Sequence, residues 1–296
     1  MVKTEDGETT DCRIRGKFRL KDLKSTNPVA VGDLVDFEIP ENDTIGVITN
    51  IHERKNYIIR KASNLSKQHQ IVASNVDQIF LVVTAIKPET SLVFIDRFLI
   101  SAEAYRIPVI IVINKSDIYI EEHIKAFVQD VKNIYEPIGY KCIETSVVKN
   151  INIETLKDLM KNRTSVFAGN SGVGKSSLIN KIDSNLSLKI GKISDAHFKG
   201  KHTTTYAEMF EVASGGSIID TPGIKGFGLI EFEKSVVHHY FPEIFKVSEN
   251  CQYNNCTHTH EPKCAVKEAV ENEKISSSRY ESYLTVLEDS DTKHRL

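Results

Sequence analysis

Along the first 65 residues, apolar and polar positions alternate in short stretches. Cys12, Ile14, Gly16, Phe18 and Leu20 interleave with Arg13, Arg15, Lys17 and Arg19. A period of two puts the apolar set on one face of a strand and four cations on the other. Val35, Phe37 and Ile39 alternate after the Gly32-Asp33 turn, and Ile45, Val47 and Thr49 after Asn42-Asp43. Short strands between polar turns predict a small all-β barrel or sandwich. The polar run from Leu65 to Gln70 reads as a linker.

Beyond it the pattern changes. Ile79–Val83 and Val109–Ile113 are continuous apolar runs, as expected of strands buried on both faces. Further strands are predicted at Tyr140–Ile143 and Ser165–Ala168. Helical stretches are predicted at about 92–105, 121–135 and 153–160 and onward from Lys175. Strand and helix in alternation predict a parallel α/β sheet. After about Phe232 the chain turns to cysteines and histidines, then to charged helix-like sequence at about 265–287.

Composition narrows the class. A chain of 296 residues with 40% hydrophobic and 26% charged residues is globular, with two or three domains. A net charge of −2 excludes gripping nucleic acid by bulk charge, so such binding needs a local patch. No run of eighteen apolar residues occurs, and Met1–Asp6 has no apolar signal core. The expectation is a soluble cytoplasmic protein without a membrane partner. Cys12 and Cys142 stand apart while Cys251, Cys256 and Cys264 crowd together, which argues for a metal site over a disulfide framework.

Gly169-Asn170-Ser171-Gly172-Val173-Gly174-Lys175-Ser176 fits GxxxxGK[ST], after an apolar strand and at the start of a helix. The glycines let backbone N–H groups wrap a phosphate, with Ser177 continuing the cradle. Lys175 is expected to reach the β- and γ-phosphates and Ser176 to offer its hydroxyl to Mg²⁺. Downstream, Asp220 ends an apolar strand before Thr221-Pro222-Gly223. Asp220 suits a water-mediated Mg²⁺ contact, and the Gly223 N–H suits the γ-phosphate. Asn114-Lys115-Ser116-Asp117 follows another strand. The Asp117 carboxylate can accept both N1–H and the 2-amino group of guanine, a donor pair adenine lacks, while the Lys115 stem covers the base. Ser146 and Val147, after the next strand, can offer backbone N–H groups to guanine O6. These four elements make the GTPase motif set in rotated order: base-reading loops first, phosphate loop next, Asp220 last. The cyclic order is intact, so the chain reads as a circularly permuted GTPase.

Cys251, Cys256, His258 and Cys264 give a Cys₃His set within 14 residues, suited to one closed, tetrahedral structural Zn²⁺. His260 is a competing ligand. The permuted motifs, the N-terminal strands and this cluster together resemble the ribosome small-subunit-dependent GTPase A family (RsgA, also called YjeQ or YloQ). Asn75–Gln78, Phe198–Thr205 and Glu261-Pro262 support the resemblance.

The resemblance implies a circularly permuted P-loop GTPase domain at 69–230. An N-terminal OB-fold β-barrel (1–68) and a C-terminal, mostly helical zinc domain (231–296) would flank it. It implies a late assembly factor of the small ribosomal subunit, expected to be a monomer. Its barrel would touch rRNA, and the subunit would stimulate its hydrolysis of GTP to GDP. Lys199–Thr205 would be switch I, with Thr204 at Mg²⁺. Two departures stand out: the family usually has another strand before the position of Met1, and Lys201 stands where Arg is common. Ile224 occupies the place of the water-orienting Gln of Ras-like enzymes. The nearest polar candidate catalyst is His202; its alternative role is contact with RNA or solvent. A GTP-locked RNA placeholder is the competing function, and Asp117 opposes a third, an ATP-dependent kinase.

Overall fold

The computed structural model describes residues 1–4, 6–14, 28–41, 43–61, 69–186, 207–220 and 233–292. Its N-terminal part is all-β. The pair β1 (Val2–Lys3) and β2 (Thr9–Thr10) is antiparallel. β3 (Cys12–Ile14), β4 (Val35–Glu38) and β5 (Gly46–Ile51) form a sheet with β5 in the middle. β6 (Tyr57–Lys61) and β7 (His69–Ser74) form an antiparallel ladder.

Three details depart from the alternation. In β5 the buried residues are Gly46 and Ile48, while Ile45 is exposed and Val47 half-buried. Ile45-Gly46-Val47-Ile48 is apolar enough to serve either register. Pairing of Phe37 with Ile48, past a bulge at Asp36/Phe37, selects the other face. Ile14 is exposed, since the three-residue strand β3 lies at a sheet edge. His69 and Gln70, read as linker, belong to β7 and pair with Lys61 and Arg60. A backbone ladder does not require apolar side chains at its end.

The central unit runs β8 (Gln78–Val83), α1 (Leu92–Ala104), β9 (Val109–Asn114), α2 (Glu122–Tyr135), β10 (Lys141–Thr145), α3 (Ile153–Met160), β11 (Thr164–Ala168) and α4 (Lys175–Ile182). Then come β12 (Glu208–Glu211) and β13 (Ser217–Asp220). The sheet order is β10-β9-β8-β11-β13-β12, parallel except for the edge strand β12. Period two divides the strands between two cores. Ile79, Leu81 and Val83 face α1 and α2, packing with Ile95, Leu99, Val128 and Tyr135. Phe80 and Val82 face α3 and α4, packing with Leu156, Met160 and Leu178. Each such side chain, fully buried, is worth about 1.5–3 kcal/mol.

The C-terminal part begins with a 3-10 helix, Lys234–Tyr240, followed by α5 (Pro242–Ser248), α6 (Ala265–Glu271) and α7 (Ser277–Thr292). The charged helix-like stretch at about 265–287 is made of two helices. Glu273 takes a left-handed φ of 56°, the Lys274 N–H turns back to the Ala269 carbonyl, and buried Ile275 plugs the corner. Val237, Phe241, Ile244, Val266 and Tyr283 form a third core that also takes in Ile100 of α1. No helix among the described residues is long and apolar enough to cross a membrane.

A buried ion cluster joins this part to α1. Arg279 Nη1 donates to Asp96 Oδ1 at 2.8 Å, and Nε donates to Glu243 Oε1 at 2.7 Å. The Tyr135 hydroxyl also donates to Asp96 Oδ1, at 2.6 Å. The guanidinium lies 4.6 Å from the Phe241 ring centroid.

Candidate functional site

The chain fills the sheet outward from β8 to β10, then returns to the other side of β8 with β11 and β13. The order reverses between β8 and β11, and in open α/β sheets ligands sit outside the carboxyl ends of the strands at such a point. The loop 169–174 leaves β11 there and runs into α4. Gly169 has φ +135°, and a Cβ there would lie 2.1 Å from the Val82 carbonyl oxygen; Gly174 has φ +99°, and a Cβ there would lie 2.4 Å from Asn114 Nδ2. Only glycine fits both positions. Val173 is fully buried and anchors the loop, whereas Ser171, Ser176 and Ser177 are exposed at its rim and Asn170 half-exposed. Lys175 Nζ curls over the loop, donating to the Gly169 and Asn170 carbonyls at 2.8 and 2.7 Å.

The base-reading loop is bound to the phosphate loop by its own residues. Asn114 Nδ2 donates to the Val173 carbonyl at 2.9 Å, and its Oδ1 accepts from Thr145 Oγ1 at 3.0 Å. Lys115, at φ +67°, stretches back so that Nζ donates to the carbonyls of Gly172 (2.7 Å) and Lys87. Its aliphatic stem thus spans the gap between the two loops. Asp117 Oδ1 accepts from Ser146 Oγ at 2.5 Å, and the same Oγ accepts from the Lys149 N–H at 3.0 Å. The Ser146 N–H itself faces the Ile151 carbonyl at 3.3 Å; Val147 is half-buried beside it. Ser116 opens a 3-10 turn, Ser116–Ile118, that carries Asp117. The segment 84–90 was not singled out in the sequence, yet it forms a further side: Pro88 lies against Gly172, with its Cδ 3.5 Å from where a Cβ would be.

Strand β13 pairs in parallel with β11, Ile219 opposite Val166, so Asp220 ends β13 at the edge from which the phosphate loop springs. Ser176 stands in the first turn of α4. Ser176 and the backbone end of β13 at Asp220 therefore lie at one end of the sheet. Thr204, Gly223, Ile224, His202 and the rest of 199–205 lie outside the described residues. Of the four N-terminal cations only Arg13 lies within them; it is exposed and paired to Asp43 at 3.2 Å.

Cys251, Cys256, His258 and Cys264 converge, with all ligand atoms within 4.8 Å of one another. Cys251 Sγ lies 3.9 Å from Cys264 Sγ, and His258 Nδ1 lies 3.6 and 3.5 Å from these two sulfurs. A tetrahedral zinc with ordinary Zn–S and Zn–N bonds would separate its ligands by roughly 3.6–3.8 Å, so the cage fits a zinc ion. His260 is outside it, exposed and bonded to Thr259. Burial and the neighbouring thiols push Cys256 up to about 12, so the set needs a cation to hold it as thiolate. Around the cage, Glu261 accepts from the Thr257 and Thr259 N–H groups at 2.7 and 3.0 Å and from the Thr257 hydroxyl at 2.6 Å. Tyr280 and Tyr283 donate to the His258 and Thr257 carbonyls at 2.6 and 2.8 Å. These three residues hold the loop that presents His258 at φ +58°. Of the three, Glu261 belongs to the Glu261-Pro262 pair that supports the family resemblance, whereas nothing in the sequence singles out Tyr280 and Tyr283.

The family profile described as "RsgA GTPase" matches residues 51–230, and "RsgA N-terminal domain" matches residues 1–48. Proteins described as small ribosomal subunit biogenesis GTPase RsgA from Flavobacterium psychrophilum and Phocaeicola vulgatus are 52% and 54% identical to this chain. The alignments cover 99% and 98% of it and 90% and 93% of those proteins. Among solved structures, YjeQ from Thermotoga maritima superposes with a TM-score of 0.77 at 38% identity, over 97% of this chain and 91% of that one. YloQ, described as a circularly permuted GTPase, superposes at 0.76 and 31% identity, over 98% and 89%. A rotated motif order rejoined at one switch point, beside a Cys₃His cage, thus coincides with full-length similarity, and the chain belongs to the RsgA family of circularly permuted GTPases.

Proposed function

We propose that this GTP hydrolase acts on the small ribosomal subunit late in its assembly, in the cytoplasm, with turnover stimulated by the subunit and linked to release. The observation that carries the nucleotide part is the 2.9 Å bond from Asn114 to the Val173 carbonyl, which locks the base loop to the phosphate loop. The ribosomal part rests on relatives about half identical over nearly the whole chain and described as small ribosomal subunit biogenesis GTPases. In this reading Asp117 selects guanine, Lys115 covers it, and Ser146 and Val147 border its O6 side. Gly169 to Ser177 cradle the phosphates, with the Gly223 N–H at the γ-phosphate. Ser176, Thr204 and Asp220 would hold Mg²⁺, whose chemistry is to neutralise charge developing on the phosphates. His202, brought in with switch I, would orient the attacking water. One zinc per chain would close the C-terminal cage. The functional units are 1–68, 69–230 and 231–296, the first meeting rRNA through Arg13, Arg15, Lys17 and Arg19.

Co-sedimentation with purified small subunits tests this reading. Retention is expected with a non-hydrolysable GTP analogue, loss with GDP, and weaker binding as salt rises. Equal retention with the analogue, with GDP and without nucleotide would contradict release by hydrolysis.

A further inference from the structure

The turn that carries Lys115 and Asp117 is closed by a side chain outside the motif. After Asn114 ends β9, the chain makes the 3-10 turn Ser116–Ile118 and folds Tyr119 back underneath it. The Tyr119 hydroxyl donates to the Asn114 carbonyl and accepts the Ala85 N–H at 3.0 Å. One oxygen atom therefore closes the loop 114–119 on itself and ties it to the segment that follows β8, at the switch point. Tyr119 is buried, and burial pushes its phenol up to about 12, so it remains a neutral donor at any physiological pH. Ser146 supports the same loop from the far side of Asp117, and Asn114 and Lys115 tie it to the phosphate loop. Without the hydroxyl, the Asn114 carbonyl and the Ala85 N–H would both lose their partner inside the protein.

We propose that Tyr119 is a positioning residue for base selection: its hydroxyl strut sets the pose of the Lys115–Ile118 turn, and through it the sharpness with which Asp117 favours a base bearing a 2-amino group. This rests on the reading of Asp117 as the guanine acceptor. A strut that served only the core would stabilise the protein without affecting which base it prefers.

Calorimetric affinities of the full-length native protein and of Tyr119→Phe for GDP and for inosine diphosphate, which lacks the 2-amino group, separate the two roles. The native protein is expected to prefer GDP. In Tyr119→Phe the GDP dissociation constant should rise roughly three- to tenfold, about the worth of one hydrogen bond, while that for inosine diphosphate rises less, so the preference shrinks. The preference is a ratio within the folded fraction, so loss of stability alone leaves it unchanged. An unchanged ratio overturns the proposal and leaves the guanine reading standing. A native protein indifferent to the 2-amino group overturns both. A variant that does not fold shows the hydroxyl to be structural and also overturns the proposal.

Discussion

At the residue scale, the site depends on side chains that bond to backbone. Asn114 is the hub: one amide group reaches the phosphate loop and the end of β10 together. The motif residues were legible because backbone phosphate cradles and base-reading carboxylates need particular residue types at fixed spacing. Tyr119, Lys87 and Ser146's grip on Asp117 were not, because the fold brings Ala85, Lys87 and Ser146 to this loop from segments far apart in the chain. An aromatic after a turn reads as core; nothing local shows where its hydroxyl will point. For the carboxylate, Asp117→Asn should lower GDP affinity roughly 10- to 100-fold, the worth of hydrogen bonds to a charged acceptor. It should also raise affinity for xanthosine diphosphate, whose carbonyl replaces the amino group. Calorimetry with both nucleotides checks this, and unchanged GDP affinity would remove Asp117 from base recognition.

At the scale of elements, continuous apolar runs gave β8 and β9 to within a residue, and the helices expected at about 121–135 and 153–160 match α2 and α3. The antiparallel edge strand β12 escaped, since only Phe210 and then Val212 face inward between exposed glutamates. The break between α6 and α7 escaped too, although Ser276-Ser277-Ser278 after Asn272 is a cluster of capping residues. The cysteine cage was legible from composition, but its supporting hydrogen bonds were not. The variant Cys256→Ala/Cys264→Ala should lose stoichiometric zinc, measured by metal analysis, and melt the C-terminal helices in circular dichroism while GDP still binds. Thiols must lose protons to bind metal, so zinc should be held at neutral pH and released as pH falls, read with a chromogenic chelator. Burial works against the Glu261 charge, but hydrogen bonds from Thr257, Glu261 and Thr259 outweigh it and hold the carboxyl at about 2. Its contribution is complete above the unfolded value of 4.5 and is lost as pH falls through about 2.

At the scale of the whole molecule, the C-terminal part is fastened to α1, the helix that follows the 84–90 segment beside the phosphate loop. The fastening is ionic and buried, with Arg279 between Asp96 and Glu243. Removing one partner strands a buried charge, so Arg279→Met should cost about 3–5 kcal/mol in denaturant unfolding. The triple variant Asp96→Asn/Glu243→Gln/Arg279→Met should recover part of that, because no charge is left unpaired. Recovery of nothing would mean the cluster's worth lies in packing on Phe241 instead. Such a joint places the Cys₃His cage and the nucleotide site on one frame. In the proposed function the small subunit completes catalysis, since Ile224 stands where a water-orienting Gln is found in Ras-like enzymes. GTP turnover by the full-length protein, with and without purified small subunits, tests it directly. Hydrolysis is expected to be slow alone and about tenfold or more faster with subunits through improved positioning, and His202→Ala should lose most of that stimulation while keeping subunit binding. Turnover that is equal with and without subunits would contradict it.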